Sequence, residues 1–443
     1  MTRSHDLSSR WFALGLIALT RTSATHALAT CAVATCIVLL FPATTFCQSA
    51  RPLSLRSKIT GIQPMTGIVL WSDHEQVETH RDAISLEFRY CGYDEVVNPA
   101  GDYDFSRLDR ILDQIASRNH QAVLRFYFCY VGKRTTVPEF LRRRADYRET
   151  VGKSENRQTS FCDWSNEALQ QFTLEFYEQF AAKYDDDPRI AFLQTGFGLW
   201  AEYHIYDGPR IIGNTFPSKT FQRRFLSHLE SQFDNLPWSI SIDAADPSYS
   251  PITTENELLA LPFGVFDDSF LCKPHPKENE QNWMSLGLDR WKTSPGGGEF
   301  SYYNRKDQRN ALAAEGPNGV SFERAAAKFH ISYMIGNDQP KYQSFERIKQ
   351  AGMATGYRFR VTEASLLEST LKLVVTNEGV APLYRDAFFQ AGNRRSQTSL
   401  KGLLPGEHRT VLIGGVTPKD VKNITIESDA ILESQSISYA ADL

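Results

Sequence analysis

The sequence has little excess of charge of either sign. Its 443 residues include 48 Lys and Arg against 52 Asp and Glu, a formal net charge of -4. A protein that binds nucleic acid or an anionic membrane through its field needs a basic surface, which this balance does not provide. Only 23% of the residues are charged and 42% are hydrophobic, which excludes a disordered chain. We therefore expect a globular protein that binds neither nucleic acid nor a membrane surface.

Long hydrophobic runs are confined to the first fifty residues. The uncharged run 27–41 is too short to span a bilayer comfortably and has the length of a signal-peptide core. Thr45 and Cys47 then stand at positions -3 and -1 for cleavage before Gln48. We predict a leader over residues 1–47 and a secreted or periplasmic mature protein. An uncleaved N-terminal anchor is the alternative.

Cysteine is sparse in the mature chain. Three of the seven cysteines lie in the leader, which leaves Cys91, Cys129, Cys162 and Cys272. Their spacing matches no zinc site, so we expect buried thiols or up to two disulfides of undetermined pairing.

Residues 60–356 alternate between strand and helix patterns. Eight short apolar runs with little alternation are typical of strands buried on both faces of a parallel sheet. They are Gly67–Trp71, Ile84–Tyr90, Ala122–Phe128, Ile190–Phe197, Trp238–Asp243, Phe263–Asp267, Gly297–Ser301 and Phe329–Ile335. Eight such strands with intervening helices predict an α/β fold, a (β/α)8 TIM barrel. The first crossover, 73–83, has too few apolar positions for a proper helix.

The intervening helices are recognised by their spacing and their caps. Apolar residues recur every three or four positions after Ser106, after Ser165 and after Ser218. Ser321 and Ser344 are expected to cap two further helices. The aromatic stripe within 169–184 is interpreted as core packing and not as a cofactor site.

Beyond Gly356 the pattern changes to short alternating strands. Turn residues recur at 377–379, 392–393 and 405–406. This pattern predicts a small C-terminal β-sandwich over residues 357–443, for which a structural role is the default.

Two glutamates occupy the ends of predicted barrel strands. Active sites of TIM barrels lie at the carboxyl ends of their strands. Glu202 follows the fourth strand, and Glu299 lies in the glycine-rich seventh strand. A pair of carboxyl groups can cleave a glycosidic bond, since one protonates the leaving oxygen while the other attacks or activates water. We predict Glu202 and Glu299 as the catalytic pair of a glycoside hydrolase.

Other polar and aromatic residues at the strand ends are suited to binding a carbohydrate. Each of them has a structural alternative, such as an ion pair inside the barrel or simple packing. The predicted substrate-binding residues are Trp71, Arg89, Arg125, Tyr127, Trp200, His204, Asp243, Asp267, Asp268, Tyr302 and Asn337.

Competing motifs are weak, and we predict no cofactor and no metal. Residues 196–201 match G-x-G-x-x-[GA], but no helix pattern follows, so the match is attributed to chance. No nucleophile elbow or P-loop is present. Metal-assisted hydrolysis through Asp73, His74, Glu202 or His204 remains a less favoured alternative. A non-catalytic carbohydrate-binding barrel is the main rival, and the oligomeric state stays open.

Several segments resemble known families. The segments 101–109 and 123–125 resemble the second-helix and third-strand region of clan A glycoside hydrolases, notably β-galactosidase-like ones. The segments 199–204, 241–246, 266–270, 297–300 and 330–333 resemble exported barrel proteins of domain of unknown function 4832, preceded by domain of unknown function 4874. The second resemblance covers nearly the whole mature chain and implies a barrel with a small β domain, but no settled activity.

The clan A resemblance implies roles for the two glutamates. It implies that Glu202 is the general acid/base and that Glu299 is the nucleophile of a retaining mechanism. The sequence departs from the clan pattern at Ala201, where the clan usually has Asn, so the usual contact to the sugar 2-hydroxyl is missing.

Overall fold

Eight parallel strands close into a barrel in the computed structural model, which describes residues 50–443. The predicted leader therefore lies outside the described residues. The barrel strands are β1 (Gly67–Trp71), β2 (Leu86–Gly92), β3 (Gln121–Tyr127), β4 (Ile190–Thr195), β5 (Trp238–Ser241), β6 (Gly264–Phe270), β7 (Gly296–Phe300) and β8 (Tyr333–Ile335). Each strand pairs with the next, and β8 pairs with β1, which closes the ring. The predicted TIM barrel is confirmed.

Among residues 50–443, six helices of eight or more residues surround the barrel. They are α1 (Ser106–Ser117), α2 (Glu167–Tyr184), α3 (Lys219–Gln232), α4 (Asn279–Leu286), α5 (Phe322–Phe329) and α6 (Phe345–Met353). Short helices occupy Glu139–Arg142, Asn256–Leu259, Arg305–Asn310 and Gln339–Tyr342. Ser321 and Ser344 cap α5 and α6 through their hydroxyl oxygens, as predicted, and Ser218 caps α3 in the same way. The aromatic stripe of α2 is buried in the core.

Two differences from the predicted elements have local causes. Phe329 ends α5 and does not begin β8, because His330 takes a left-handed conformation that terminates the helix. The first crossover contains only a single 3₁₀ turn at Arg81–Ala83, in agreement with its few apolar residues.

The C-terminal residues form two sheets. The larger contains β9 (Phe359–Leu367), β10 (Thr370–Asn377), β13 (His408–Ile413) and β15 (Tyr439–Asp442), and the short segments Arg51–Pro52 and Arg56–Ser57 also pair with it. The smaller contains β11 (Phe388–Ala391), β12 (Arg394–Ser399) and β14 (Ile424–Glu427). Apolar side chains of both sheets share one buried cluster, the core of a β-sandwich.

The sandwich closes the floor of the barrel, the end at which the parallel strands begin. Gln121, the first residue of β3, donates a hydrogen bond to the carbonyl of Ala430. Tyr357 donates to the carbonyl of Pro64, just before β1. Barrel-interior residues such as Val69 and Phe192 belong to the same buried cluster as the sandwich core. The opposite end of the barrel, at which the parallel strands end, is called the mouth below. The boundary between the two parts at residue 356 remains a prediction, since the barrel and the sandwich belong to one compact unit.

The structure also contains a hairpin inserted after β3. Its strands, Thr150–Ser154 and Arg157–Phe161, pair with each other alone. No helix within residues 50–443 is long and apolar enough to cross a membrane.

Candidate active site at the barrel mouth

Two glutamates lie at the barrel mouth, three strands apart in the ring. Glu202 follows β4 and is 9% exposed, and Glu299 in β7 is in register with Ile335 of β8. Burial raises the pKa of both carboxyls well above the usual range, and the charge of Asp268 raises both further. The charge of Glu299 adds to the rise at Glu202, so the two groups titrate as an interacting pair. Both carboxyls therefore keep their protons to a higher pH than an exposed glutamate does.

One oxygen of Glu299 has no polar partner. Its Oε1 atom is buried and accepts no hydrogen bond from the part of the chain that the structure describes. Within residues 50–443 the Nε1 atom of the Trp71 indole is likewise buried without a hydrogen-bond partner. A buried oxygen without a donor is available to a bound molecule.

The turn that carries Glu202 folds back tightly onto the end of β4. The Gly198 N–H donates to the Glu202 carbonyl at 2.8 Å. A Cβ atom on Gly198 would lie 1.9 Å from the carbonyl oxygen of His204, so only glycine fits. Trp200 and Ala201 have φ angles of 55° and 59°, a left-handed conformation that residues with a Cβ rarely adopt. Such strained backbone concentrates at functional sites, where the surroundings must hold it in place.

The dinucleotide-like pattern of the sequence is part of this turn. A Cβ on Gly196 would lie 2.1 Å from the carbonyl oxygen of Ala201, so this glycine also permits close backbone approach. No helix begins until Lys219, which agrees with the interpretation of the pattern as a chance match.

Arg125, near the end of β3, connects four parts of the mouth. It is fully buried, and its guanidinium donates to the two oxygens of Asp268 at 2.5 and 3.1 Å. It also donates to Gln194 at 2.8 Å, to the Tyr90 hydroxyl at 3.2 Å and to the Trp200 carbonyl at 3.4 Å. Burial alone would lower the pKa of Arg125, but the charge of Asp268 raises it, so the group stays cationic. The same cation partly offsets the rise in the pKa of Glu202 and of Glu299.

A second cluster of polar side chains surrounds Glu202. Its Oε2 atom lies 3.3 Å from Nε2 of His204. Glu202, His204 and Asp243 each place one potential ligand atom within 4.8 Å of the others. Asp243 also accepts a hydrogen bond from Ser241, and its charge raises the pKa of Glu202. These residue types bind divalent cations as well as hydroxyl groups.

The two consecutive aspartates of β6, Asp267 and Asp268, have different surroundings. Asp267 is 1% exposed and accepts hydrogen bonds from Asn279 at 2.8 and 3.0 Å. Its Oδ2 atom also lies 3.2 Å from Nε2 of His275. The Asp267 carboxylate therefore already has hydrogen-bonding partners within the protein, whereas Asp268 forms the ion pair with Arg125. A role of Asp267 in binding substrate remains a prediction.

Three further predicted residues lie around β1 and β2. Asn337 accepts a hydrogen bond from the Trp71 backbone N–H at 3.0 Å, which joins the loop after β8 to β1. The Arg89 guanidinium lies 3.6 Å from Asp73 and 3.8 Å from Glu95. Arg89 lines a pocket together with residues of α1, so it lies on the helix side of β2. The structure therefore does not bring Arg89 together with the two glutamates.

Aromatic side chains form much of the rim. Trp200 stacks on Tyr206, with ring centroids 5.9 Å apart and planes 17° apart. Tyr127 is half-buried, and burial raises the pKa of its phenol to about 12. Tyr302 is 48% exposed. Flat, partly exposed rings are suitable surfaces for the apolar face of a sugar.

Sequence reasoning missed three tyrosines at this mouth. Tyr90 contacts Arg125, Tyr130 packs edge-on against Trp200 at 6.2 Å, and Tyr206 extends the Trp200 surface outward. The signal for Tyr90 was present, because it follows Phe88, a barrel-interior residue, by two positions and shares its side of the strand. Tyr130 and Tyr206 lie in loops, where no periodicity indicates direction.

Comparisons with known proteins give the following findings. No family model and no curated protein matches the chain, so the resemblance to domain of unknown function 4832 has no such support. Solved structures similar to this chain include an α-galactosidase from Thermus thermophilus, at 13% identity and a TM-score of 0.39, covering 72% of this chain and 66% of that one. Another is the family 30 subfamily 8 xylanase Xyn30A from Clostridium acetobutylicum, at 10% identity and a TM-score of 0.39, covering 83% and 98%. A third is GH5_18 from Streptomyces cattleya, at 13% identity and a TM-score of 0.37, covering 67% and 79%. These structures are glycoside hydrolases, and at such identities the likeness concerns the fold alone.

Proposed function

We propose that the chain is an exported glycoside hydrolase that cleaves a poly- or oligosaccharide with Glu202 and Glu299. The observation that carries the proposal is the placement of two buried carboxyl groups with raised pKa at one barrel mouth. A carboxyl that holds its proton near neutral pH can act as a general acid, which an ordinary surface glutamate cannot.

Glu202 is the proposed general acid/base. Its carboxyl is the more surrounded by negative charge, since Asp268, Asp243 and Glu299 all raise its pKa. A proton held there is delivered to the glycosidic oxygen as the bond to the leaving group breaks. The strained turn at Trp200 and Ala201 fixes the direction in which this carboxyl points.

Glu299 is the proposed nucleophile. Arg125 favours its ionised form, and Oε1 accepts no hydrogen bond from any described residue. Once the pair has lost one proton, the remaining carboxylate at Glu299 attacks the anomeric carbon, and water later releases the sugar with Glu202 as base. The retaining outcome rests on the strand positions of the two residues.

The substrate is a carbohydrate in this proposal because the rim combines flat rings with polar groups. Trp200 and Tyr302 provide surfaces for sugar faces. His204 and Asp243 lie close enough to Glu202 to hydrogen-bond hydroxyl groups of the same sugar. Secretion or a periplasmic location belongs to the same proposal and rests on the leader-like segment 1–47.

The test is a screen of the purified protein against aryl glycosides and algal and plant polysaccharides. Glu202→Gln and Glu299→Gln are run beside it, with Glu363→Gln, an exposed strand residue of the sandwich, as the matched control. Turnover that disappears in both mouth variants and persists in the control is the expected result. Glu299→Ala leaves room for azide beside the anomeric carbon, so added azide is expected to displace the aryloxide of an activated aryl glycoside and to give the glycosyl azide of inverted configuration. Carbohydrate binding without turnover, unchanged in both variants, would instead favour the non-catalytic binding protein.

Metal-assisted hydrolysis is the second candidate, and the Glu202, His204 and Asp243 cluster favours it. The three groups are close enough to share one divalent cation. A cation there would hold Glu202 ionised and make it unavailable as an acid. Dialysis against a chelator therefore separates the candidates: activity that survives supports the two-carboxylate mechanism, and activity that is lost and returns with Zn²⁺ or Mn²⁺ supports the metal.

A further inference from the structure

Two of the four cysteines predicted for the mature chain lie against each other. The sulfur atoms of Cys129 and Cys162 are 3.7 Å apart, and both residues are fully buried. No other pair of cysteine sulfurs within residues 50–443 comes within hydrogen-bonding distance. Cys272 is instead close to the side-chain oxygen of Asn279, at 3.9 Å. The pairing of the cysteines could not be predicted from the sequence, whereas in the fold only Cys129 and Cys162, among the described residues, lie close enough to pair.

The two cysteines flank the segment that contains the inserted hairpin. Cys129 is the second residue after β3, and Cys162 directly follows the hairpin. The chain between them, 130–161, contains that hairpin, whose Glu155 accepts a hydrogen bond from Tyr206. A bond between the sulfurs would close this segment into a loop at its base.

The backbone of Cys129 also supports the turn that carries Glu202. Its carbonyl accepts the Trp200 N–H at 3.0 Å, and it bridges in parallel to Leu199. Trp200 is one of the two residues in the left-handed conformation. A bond that restrains Cys129 therefore also restrains the backbone contact that holds the turn at Trp200 and Ala201.

We propose that Cys129 and Cys162 form a disulfide in the protein as it matures. The Sγ–Sγ bond forms as both S–H bonds break, and two electrons and two protons pass to a disulfide oxidant, which is released as two thiols. The oxidant is of the class of glutathione disulfide or a protein disulfide donor, as is available to exported proteins. Cys91 and Cys272 stay reduced. This inference does not depend on the proposed glycosidase activity.

The timing of the oxidation follows from burial. Burial raises the pKa of the Cys162 thiol well above its usual range, and the thiolate is the species that attacks a disulfide. The folded protein with both thiols reduced therefore reacts slowly, and the bond forms while the chain is still folding.

Peptide mapping tests the pairing. The full chain is unfolded in urea that contains a reductant and is then refolded in a mixture of oxidised and reduced glutathione. The refolded protein is alkylated and digested with trypsin. Trypsin cuts after Arg125, Lys133, Arg157 and Lys183, so the expected product is one linked peptide that joins 126–133 to 158–183. Peptides of Cys91 and Cys272 are expected in alkylated form. Alkylation of Cys129 and Cys162 in the refolded protein, or a link from either one to another cysteine, would overturn the proposal.

A thermal measurement gives a second and independent test. Closing a loop of this length in the unfolded chain is expected to raise the melting temperature by about 4 °C in a protein of this size. Cys129→Ser and Cys162→Ser are expected to lose this rise, each to the same extent as the double variant. Cys91→Ser, which removes a buried thiol with no sulfur neighbour among residues 50–443, is the control. It keeps Cys129 and Cys162, so its melting temperature should rise on oxidative refolding as much as that of the wild type. A wild type whose melting temperature is the same in both refolding mixtures would overturn the proposal.

Discussion

Removing the charge of Arg125 should destabilise the fold strongly, and restoring neutrality at Asp268 should recover part of the loss. Arg125 makes five hydrogen bonds in a fully buried position, two of them to Asp268, whose side chain is only 9% exposed. Breaking a buried ion pair from one side typically costs about 3–5 kcal/mol, because the remaining charge is left uncompensated. For a domain of about 390 residues, that corresponds to a fall of about 4–6 °C in melting temperature.

The assay is a double-mutant cycle with Arg125→Met, Asp268→Asn and their combination, followed by urea unfolding at pH 7 and pH 5. We expect the double variant to lose about 2 kcal/mol less free energy of unfolding than the two single variants lose in sum. The loss for Arg125→Met should be smaller at pH 5 than at pH 7, since the raised pKa of Glu202 and of Glu299 leaves these two carboxyls less ionised at the lower pH. Arg223→Met, which removes an exposed ion pair with Glu255, is the control and should change stability little. An additive cycle, or a loss below about 1 kcal/mol for Arg125→Met, would refute the reasoning.

Three further predictions follow from the site and the floor. Glu299→Gln should raise the melting temperature at pH 7.5 but not at pH 4.5. A buried carboxyl with a raised pKa destabilises the fold progressively as pH rises above its unfolded pKa, by about 1.4 kcal/mol for each unit by which the folded pKa exceeds the unfolded one. An equal change at both pH values would contradict this. Gly198→Ala should lower stability in urea by about 1–3 kcal/mol, whereas Gly414→Ala, which has open space for a Cβ, should not; equal effects would contradict the close approach at the turn. Deleting residues 357–443 should abolish cooperative unfolding in circular dichroism, since it exposes the apolar barrel floor; a soluble barrel with a sharp transition would contradict the closing role of the sandwich.

The barrel could be predicted from the sequence because each strand is a short apolar run with distinct ends. The first strand, Gly67–Trp71, has the predicted bounds, and the other strand starts or ends shift by a few residues. The largest shift is at β8, where the helix before it ends on a left-handed histidine and not on a glycine. Propensity gives no signal for such an ending, because only tertiary contacts hold a histidine in that conformation.

The positions of Glu202 and Glu299 at strand ends could also be predicted, but their environment could not. The ion pair between Arg125 and Asp268 joins residues 143 positions apart in the chain. Its existence depends on the register of β3 and β6 across the barrel, which no local pattern encodes. For the same reason the sequence grouped Asp267 with Asp268, whereas the fold directs one toward Asn279 and the other toward Arg125.

The pairing of the outermost strands determines how the molecule can be tethered. Arg56 and Ser57 lie in register with Asp442 and Ala441, so the two ends of the described chain are side by side in one sheet. That sheet belongs to the sandwich beneath the barrel. A resin, a fusion partner or a lipid joined at either end would therefore sit below the floor, and the mouth would face outward into the medium. Immobilisation through residue 50 or through Leu443 should thus leave access for long polymers, which attachment through the rim would obstruct.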